Sequence, residues 1–143
     1  MLLQYANQQL KLLSPRYRLQ RANDSLGLLV IDQDMANEQR SVHSLSGGES
    51  FLMSLALALG LAQMASGQVR IESLFIDEGF GTLDPESLQL VMDALDQLQS
   101  QGRKVIVITH VQEMQERIPT QIKVQRLGAG RSHIVITPSV QKE

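Results

Sequence analysis

The sequence predicts an α/β fold with a mostly parallel sheet and flanking helices. Residues 74–76 and 105–108 are short, continuous apolar runs, as in strands that are buried on both faces. A helix with an apolar face separates them, and it is expected to begin at Asp84, a good N-cap residue that is followed by proline. A strand–helix–strand unit of this kind pairs its strands in parallel with a right-handed crossover.

Composition narrows the class of protein. The chain has 143 residues, of which 43% are hydrophobic, and a formal net charge of −2. It contains no cysteine, which excludes disulfides and thiolate metal sites. The small net charge argues against a surface that binds nucleic acid everywhere, although it is compatible with a local basic patch. The first residues lack the pattern of a signal peptide, and the longest apolar run is shorter than a bilayer requires, so we expect a cytoplasmic protein without membrane contact.

The chain is expected to open with an amphipathic helix that ends before Pro15, because proline disfavours helix at the preceding residue. The apolar residues of this helix follow a 3-4-3 spacing: Leu3, Ala6, Leu10 and Leu13. That spacing is typical both of an ordinary amphipathic helix and of a short coiled-coil seam, and the stretch is too short to distinguish them.

A hairpin is predicted next, because two strand-like runs flank a turn signal at residues 23–25. The first run carries regularly spaced basic residues: Arg16, Arg18 and Arg21. They form either a solvated strand face, which we favour, or a groove for a phosphate backbone. Residues 32–39 are polar and are predicted to be a loop. The loop carries three acidic residues: Asp32, Asp34 and Glu38. Their spacing differs from that of an EF-hand, so they are expected to be solvated.

The stretch Ser46-Gly47-Gly48-Glu49 predicts the start of a long apolar helix over residues 48–65. Serine and glutamate three residues apart form a capping box, in which each side chain bonds the other residue's backbone N–H. Glycines at a helix N-terminus let an anion come close to the exposed N–H groups. Taken alone, the stretch is equally consistent with a well-capped buried helix that binds nothing.

The carboxyl ends of the two parallel strands carry the candidate chemistry. Asp77 and Glu78 follow the first strand and His110 follows the second. Ligands bind beyond these ends in an open parallel sheet, so the three side chains are expected to converge. Asp77 suits Mg²⁺, which prefers hard oxygen ligands, and Glu78 suits the orientation or deprotonation of a water molecule. The alternatives are a solvated acidic turn and, for the histidine, a helix cap.

No phosphate-binding loop of the G-x-x-x-x-G-K-[S/T] type occurs in the sequence. The chain is therefore not a complete nucleotide-binding domain by itself, and we expect another polypeptide segment to supply that loop. The sequence predicts another helix that starts at Thr109-His110 and runs to about Arg117, followed by a hairpin with strands at residues 122–127 and 133–136. Residues 138–143 are expected to be frayed.

The order of these motifs resembles the second half of an ABC-type ATPase head, with its signature motif, Walker B strand and switch histidine. The resemblance covers residues 42–124 and implies the C-terminal lobe of such a head, completed by a separate N-terminal segment. Glu49 stands where transporters usually carry glutamine, and residues 79–84 read G-F-G-T-L-D. These features are unlike a transporter engine. They are similar to the DNA-repair and chromosome-organising branch, and most similar to the SbcC family.

The resemblance also implies roles for single residues. Asp77 matches the magnesium-binding Walker B aspartate, Glu78 the catalytic base and His110 the switch that senses the γ-phosphate. Asp84 matches the D-loop aspartate. The residues that match the signature, which closes over ATP held by an opposite head, are Ser46, Gly47 and Gly48. The implied cofactors are therefore ATP and Mg²⁺.

The function implied by the resemblance is that of an ATPase whose heads pair around ATP and gate a partner nuclease in double-strand break and hairpin processing. The implied partners are an N-terminal half with the Walker A loop, a second identical head, an SbcD-type nuclease subunit and double-stranded DNA, in the cytoplasm at the nucleoid. Residues 1–13 would be the stub of a coiled-coil arm, and residues 14–143 the C-terminal half of the head. The alternative is an SMC-like ATPase that tethers or organises DNA.

Overall fold

The computed structural model describes residues 1–23, 25–66, 71–77 and 80–138. The chain divides into two compact units, Met1–Ile108 and Thr109–Glu143, and each is described by itself. The α/β class predicted from the sequence is confirmed, since helices alternate with strands and the first unit contains a parallel strand pair.

The first unit opens with a helix and a three-stranded antiparallel sheet. These elements are α1 (Leu2–Leu13), β1 (Tyr17–Arg21), β2 (Leu28–Asp32) and β3 (Glu38–Ser41), and the strand order is β1-β2-β3. The predicted hairpin is confirmed, but the polar stretch 32–39 is not one loop. Asp32 ends β2 and pairs with Glu38 of β3, because Ala36 and Asn37 adopt positive φ and turn the chain within a few residues. A polar strand is stable there because β3 lies at the edge of the sheet.

Two further helices complete the core of the first unit, α2 (Gly47–Ser66) and α3 (Pro85–Ser100), and α2 contacts both α1 and α3. α2 approaches α1 closely at Gly60, where an added Cβ would lie 2.6 Å from the backbone nitrogen of Ala6. The apolar residues of the predicted seam of α1 face this core, since Ala6, Leu10 and Leu13 are all buried. Whether α1 continues a coiled-coil arm stays a prediction.

The stretch Gly47–Ala65 has 19 residues. By its length and mean hydropathy alone, it is long and apolar enough to cross a bilayer. The expectation that no apolar stretch reaches this length is therefore corrected. The reason is that the Leu, Ala, Met and Phe residues are numerous enough to keep the whole helix apolar on average, although Glu49, Gln63 and several Ser and Gly residues interrupt the run. The helix buries Leu52, Ala56 and Leu59 and packs on two other helices, which is the arrangement of a core helix.

The predicted strand–helix–strand unit consists of β4 (Ser73–Asp77), α3 and β5 (Lys104–Ile108), and its two strands pair in parallel. Among the described strands this is the one parallel pair, and the others join through short turns that impose antiparallel pairing. The strands are not buried on both faces. Phe75, Ile106 and Ile108 are exposed on one face, and Phe75 keeps 73% of its accessible surface.

The second unit contains α4 (Gln112–Arg117) and a long hairpin, β6 (Gln121–Gly128) with β7 (Arg131–Thr137). The hairpin is confirmed, and its turn is made by residues 128–130, which all have positive φ. The helix begins later than the sequence predicts. The hydroxyl of Thr109 accepts the backbone N–H of Val111 at 3.1 Å, and this local bond competes with helix formation there. The predicted fraying at the C-terminus concerns residues 138–143, of which 139–143 lie outside the described residues.

Candidate functional site

The capping box predicted at the start of α2 is confirmed. The backbone N–H of Ser46 donates to Oε2 of Glu49 at 2.9 Å, and the backbone N–H of Glu49 donates to Oγ of Ser46 at 3.2 Å. Both Ser46 and Gly47 are exposed. The serine oxygen accepts this bond, so its hydroxyl hydrogen remains a possible donor to an anion outside.

The two glycines of this stretch lie against the segment that leads into α3. A Cβ on Gly47 would lie 2.5 Å from Cδ2 of Leu83, the far end of a flexible side chain. A Cβ on Gly48 would lie 2.6 Å from the carbonyl oxygen of Ser87 and 2.7 Å from its Cα. Gly48 is therefore required by close packing of two helix starts. Sequence reasoning assigned both glycines to phosphate approach only, and it missed this contact.

Asp84 caps α3 and is held in a fixed position. Its Oδ1 accepts the backbone N–H of Ser87 at 2.9 Å, and its Oδ2 accepts the Ser87 hydroxyl at 2.8 Å. These bonds, the backbone one first, lower the pKa of Asp84. The predicted N-cap with Pro85 in the first turn is confirmed. Because Ser87 also touches Gly48, the structure brings the predicted D-loop aspartate next to the predicted signature.

Glu49 is buried and carries the densest set of polar contacts at this helix start. Arg40 donates from Nη2 to its Oε1 at 2.6 Å, and the Tyr17 hydroxyl donates to the same oxygen at 3.1 Å. Burial acts to raise the pKa of Glu49, but the bonds from Arg40, the Ser46 N–H and Tyr17 outweigh it, so the pKa lies below its ordinary value. The carboxyl group is therefore ionised at neutral pH.

A second buried carboxylate adjoins this pair. Asp32 is 1% exposed and receives two bonds from Arg16, at 2.9 Å and 2.7 Å, while Nη2 of Arg40 lies 3.6 Å from its Oδ2. The bond from Arg16 is the main cause of a lowered pKa at Asp32. We call Arg16, Tyr17, Asp32, Arg40 and Glu49 the charge cluster.

The charge cluster corrects two expectations from the sequence. Asp32 is not solvated, and Arg16 is committed to an ion pair with it, although the Arg16 side chain stays 42% exposed. Arg18 and Arg21 on the strand face are exposed. Burial and the negative charge of Glu49 also raise the pKa of Tyr17 to about 12, so the phenol keeps its proton and donates it. One signal was available: a carboxylate in the first turn of an apolar helix can be buried only when it is paired.

The predicted Walker B region is described in part. Asp77 is the last residue of β4, is exposed, and pairs in register with Ile108 of β5. Glu78 and Gly79 lie outside the described residues. Phe80 is buried, and its ring packs on that of Phe51 in α2, with centroids 5.4 Å apart and an angle of 56° between the planes. The chain after Walker B thus returns to the helix that starts with the signature.

His110 is exposed, follows β5 by two residues and belongs to the second unit. It lines a shallow, open cleft there. Other residues that line this cleft are Gln112, Gln115, Glu116 and Lys123. Convergence of His110 with Asp77 stays a prediction.

The described carboxylates fit Mg²⁺ that is shared with water and substrate phosphates better than a metal ion whose ligands all come from the protein. Within the described parts of the chain, no three His, Asp or Glu side chains are grouped so that they could hold a metal. Mg²⁺ is usually bound through one or two carboxylates together with waters and substrate phosphates. The single exposed carboxylate of Asp77 at a strand end is compatible with that mode.

Comparison with known proteins gives a consistent result. A family model described as SbcC/RAD50-like, Walker B motif, matches residues 20–97. The SbcC component of the SbcCD nuclease from Pseudomonas aeruginosa is 68% identical over 136 residues, which is 95% of this chain and 11% of that protein. The protein of the same name from Rhodobacter capsulatus is 56% identical over 133 residues, covering 93% of this chain and 11% of that protein. The chain thus spans about a tenth of the length of these curated relatives.

Solved structures with the same fold include the SMC head domain from Thermotoga maritima. Its TM-score is 0.66 at 22% sequence identity, and the match covers 94% of this chain and 46% of that one. A chain from work on ATP-driven dimerization and DNA-stimulated activation of SMC ATPases matches with a TM-score of 0.64 at 22% identity, over 94% of this chain and 82% of that one. At this identity the likeness shows the fold alone.

Proposed function

The chain belongs to the SbcC/RAD50-like family, and on that premise we propose that it is the C-terminal half of an ATP-hydrolysing head. The observation that carries the proposal is the parallel pair β4–β5, which ends in the exposed carboxylate of Asp77. This is the end of a parallel sheet at which nucleotide ligands bind. The predicted signature and D-loop aspartate lie in the same unit and touch through Ser87.

A second segment completes the head in this proposal, because the chain has no phosphate-binding loop. Exposed apolar side chains support such a completion. Phe75, Ile106 and Ile108 lie on the open face of β4–β5. The hairpin of the second unit also exposes apolar residues: Ile122, Val124, Ile134 and Ile136. Faces of this kind are usually covered by a partner surface, and here the partner is the N-terminal half that carries the Walker A loop.

In the assembled head each candidate residue has a distinct task. Mg²⁺, when bound, offsets the negative charge of the ATP phosphates. Asp77 holds that ion, and Glu78 accepts the proton of the attacking water. His110 contacts the γ-phosphate as the switch residue. Asp84 lies at the interface between two heads as the D-loop aspartate.

The start of α2 acts on the nucleotide of the opposite head. A helix start offers N–H groups without intrahelical partners and the positive end of the helix dipole, and both favour the γ-phosphate held there. The residues that make this contact are Ser46, Gly47 and Gly48. Two heads therefore enclose two ATP molecules, and hydrolysis reopens the pair.

The wider role follows from the relatives, whose name makes them one component of the SbcCD nuclease. We assign the nuclease chemistry to a separate SbcD-type subunit. Opening and closing of the heads controls access of double-stranded DNA to it during repair, recombination and replication, at the nucleoid. The alternative is an SMC-like protein that tethers DNA without a nuclease, and copurification of a nuclease subunit with the full-length protein decides between the two.

Replacement of Glu78 by glutamine tests the ATPase assignment in the full-length protein. Glutamine keeps the shape but accepts no proton, and loss of a general base costs about 10²- to 10⁴-fold in rate. ATP turnover should fall by that factor, while light scattering with ATP should detect accumulated head pairs. Asp77→Asn is the matched control, because it removes the metal ligand and should weaken Mg²⁺–ATP binding itself. ATP turnover of Glu78→Gln within about threefold of the parent is outside the general-base range and refutes the assignment.

A further inference from the structure

Arg40 connects two buried carboxylates in the charge cluster. Its Nη2 lies 2.6 Å from Oε1 of Glu49 and 3.6 Å from Oδ2 of Asp32, and its Nη1 lies 3.5 Å from Oε2 of Glu49. Both carboxylates are nearly inaccessible, at 8% for Glu49 and 1% for Asp32. A buried charge is tolerated only when it is paired, so the removal of Arg40 leaves an excess of negative charge inside the fold.

The members of the charge cluster come from all three strands of the antiparallel sheet. Tyr17 on β1 and Arg40 on β3 both bond Glu49 in the first turn of α2, and Asp32 on β2 adjoins Arg40. Oε1 of Glu49 receives the two shorter bonds from this sheet, and Oε2 accepts the Ser46 N–H together with the longer bond from Arg40. The bond between Arg40 and Glu49 thus continues directly into the backbone of Ser46.

We propose that Arg40 is a positioning residue for the signature: through Glu49 it fixes Ser46 and the start of α2 in the orientation that meets the γ-phosphate of an opposite head. The inference rests on the proposed function. Arg40 does not touch the nucleotide in this scheme. It acts on the pairing of heads and leaves the binding of ATP within one head unchanged.

Arg40→Met removes the charge and keeps most of the length and volume of the side chain. Among the described residues, the donors that Glu49 then retains are the Tyr17 hydroxyl and the Ser46 N–H, and its buried charge is no longer balanced. In the full-length protein we expect ATP binding to one head to stay within about twofold of the parent, while ATP-driven pairing of heads weakens by about tenfold or more. Calorimetry measures the binding, and sedimentation equilibrium with ATP measures the pairing.

A pH profile separates positioning from a general loss of stability. Without Arg40, burial raises the pKa of Glu49, so a fall in pH adds a proton to that carboxyl and removes the unpaired charge. The charged and titratable groups that face Glu49 are Tyr17 from β1 and Arg40 from β3, with Asp32 from β2 adjoining them. Of these, Asp32 keeps its pair with Arg16. Pairing of the Arg40→Met heads should therefore recover as pH falls from about 8 towards about 6, on the order of the shifts that buried carboxyls show.

Two further variants provide matched controls. Arg40→Met combined with Glu49→Gln removes both charges and keeps an acceptor for the Ser46 N–H, so pairing should return to within about threefold of the parent and lose the pH dependence. Arg40→Lys keeps the charge but loses the planar fork, so it should rescue pairing in part.

Ser46→Arg separates failure of this inference from failure of the proposed function. A bulky cation at Ser46 should abolish pairing without loss of ATP binding. If Ser46→Arg heads pair as the parent heads do, the proposed contact between Ser46 and the opposite head is refuted, and the inference about Arg40 is refuted with it. If Ser46→Arg blocks pairing but Arg40→Met pairs normally at every pH, only the inference is overturned. Equal losses of binding and pairing in Arg40→Met, with no recovery in the double variant, also overturn it.

Discussion

Two regions of the first unit differ in their side-chain environments: in one, buried charges are paired, and in the other, apolar side chains are exposed. Around the start of α2, the buried carboxylates of Asp32 and Glu49 are paired with arginines, and the antiparallel sheet buries Leu19 and Val30. In the parallel pair β4–β5, the alternation of the strands places Phe75 and Ile106 side by side on an exposed face. The first region finds its ion-pair partners within this chain, whereas the second has one half-buried face and one open face.

The difference indicates what each region requires. Charges inside a fold need partners fixed at bonding distance, and the signature region holds such partners within its own sheet. An apolar sheet face only needs to be removed from water, and any surface of the right shape satisfies it. The fold is therefore autonomous where the orientation of a helix start matters and dependent on other surfaces where burial is needed.

The largest expected effect is a difference in the free energy of unfolding between a substitution in the core and one on the open face. Leu98 of α3 is fully buried, and Leu98→Ala should lower the free energy of unfolding of the chain by about 2–5 kcal/mol. Phe75→Ala, on the open face, should change it by no more than about 0.5 kcal/mol. Urea unfolding followed by circular dichroism measures both. A loss at Phe75 as large as that at Leu98 means that this face is already covered and contradicts the comparison.

An intermediate effect is expected at the two signature glycines. Gly48→Ala places a Cβ against the backbone of Ser87, and overpacking of this kind costs about 1–3 kcal/mol. Gly47→Ala meets only the end of the Leu83 side chain, which can rotate away, and should cost less than about 0.5 kcal/mol. Thermal unfolding of both variants tests the contrast. Equal costs argue that Gly48 does not determine the packing of α2 on α3.

The smallest expected effect is a change in how steeply the free energy of unfolding depends on pH, and it concerns the charge cluster. The pKa values of Asp32 and Glu49 are lower in the folded chain than the ordinary values of about 4, because their arginine partners stabilise the charged forms. Each carboxylate therefore contributes stability above its unfolded pKa and loses it as pH falls through the folded value. The free energy of unfolding should decline in acid below about pH 4. In Glu49→Gln the free energy of unfolding should decline less steeply with acid. An unchanged slope would mean that Glu49 is not ionised in the fold.

Local signals in the sequence were sufficient for several elements. The capping box of Ser46 and Glu49 and the cap of α3 at Asp84 were predicted because both partners lie within one helical turn. The parallel pairing of β4 with β5 followed from the length of the crossover between them. The role of Glu78 was inferred from its position after a strand and from motif resemblance, and that of His110 as a γ-phosphate switch from the resemblance; both stay predictions.

The amino-acid sequence by itself determined the order of elements, their caps and the candidate residues, since these depend on side chains that are neighbours along the chain. Only the tertiary structure decided which charges are paired. Tyr17 bonds Glu49 across 32 positions and Arg16 bonds Asp32 across 16, and no periodic pattern encodes contacts at such separations. The same holds for Gly48, whose need to be glycine arises from the backbone of Ser87 in another helix. Contacts between distant segments depend on how elements pack, and packing is determined by the shape of the whole core.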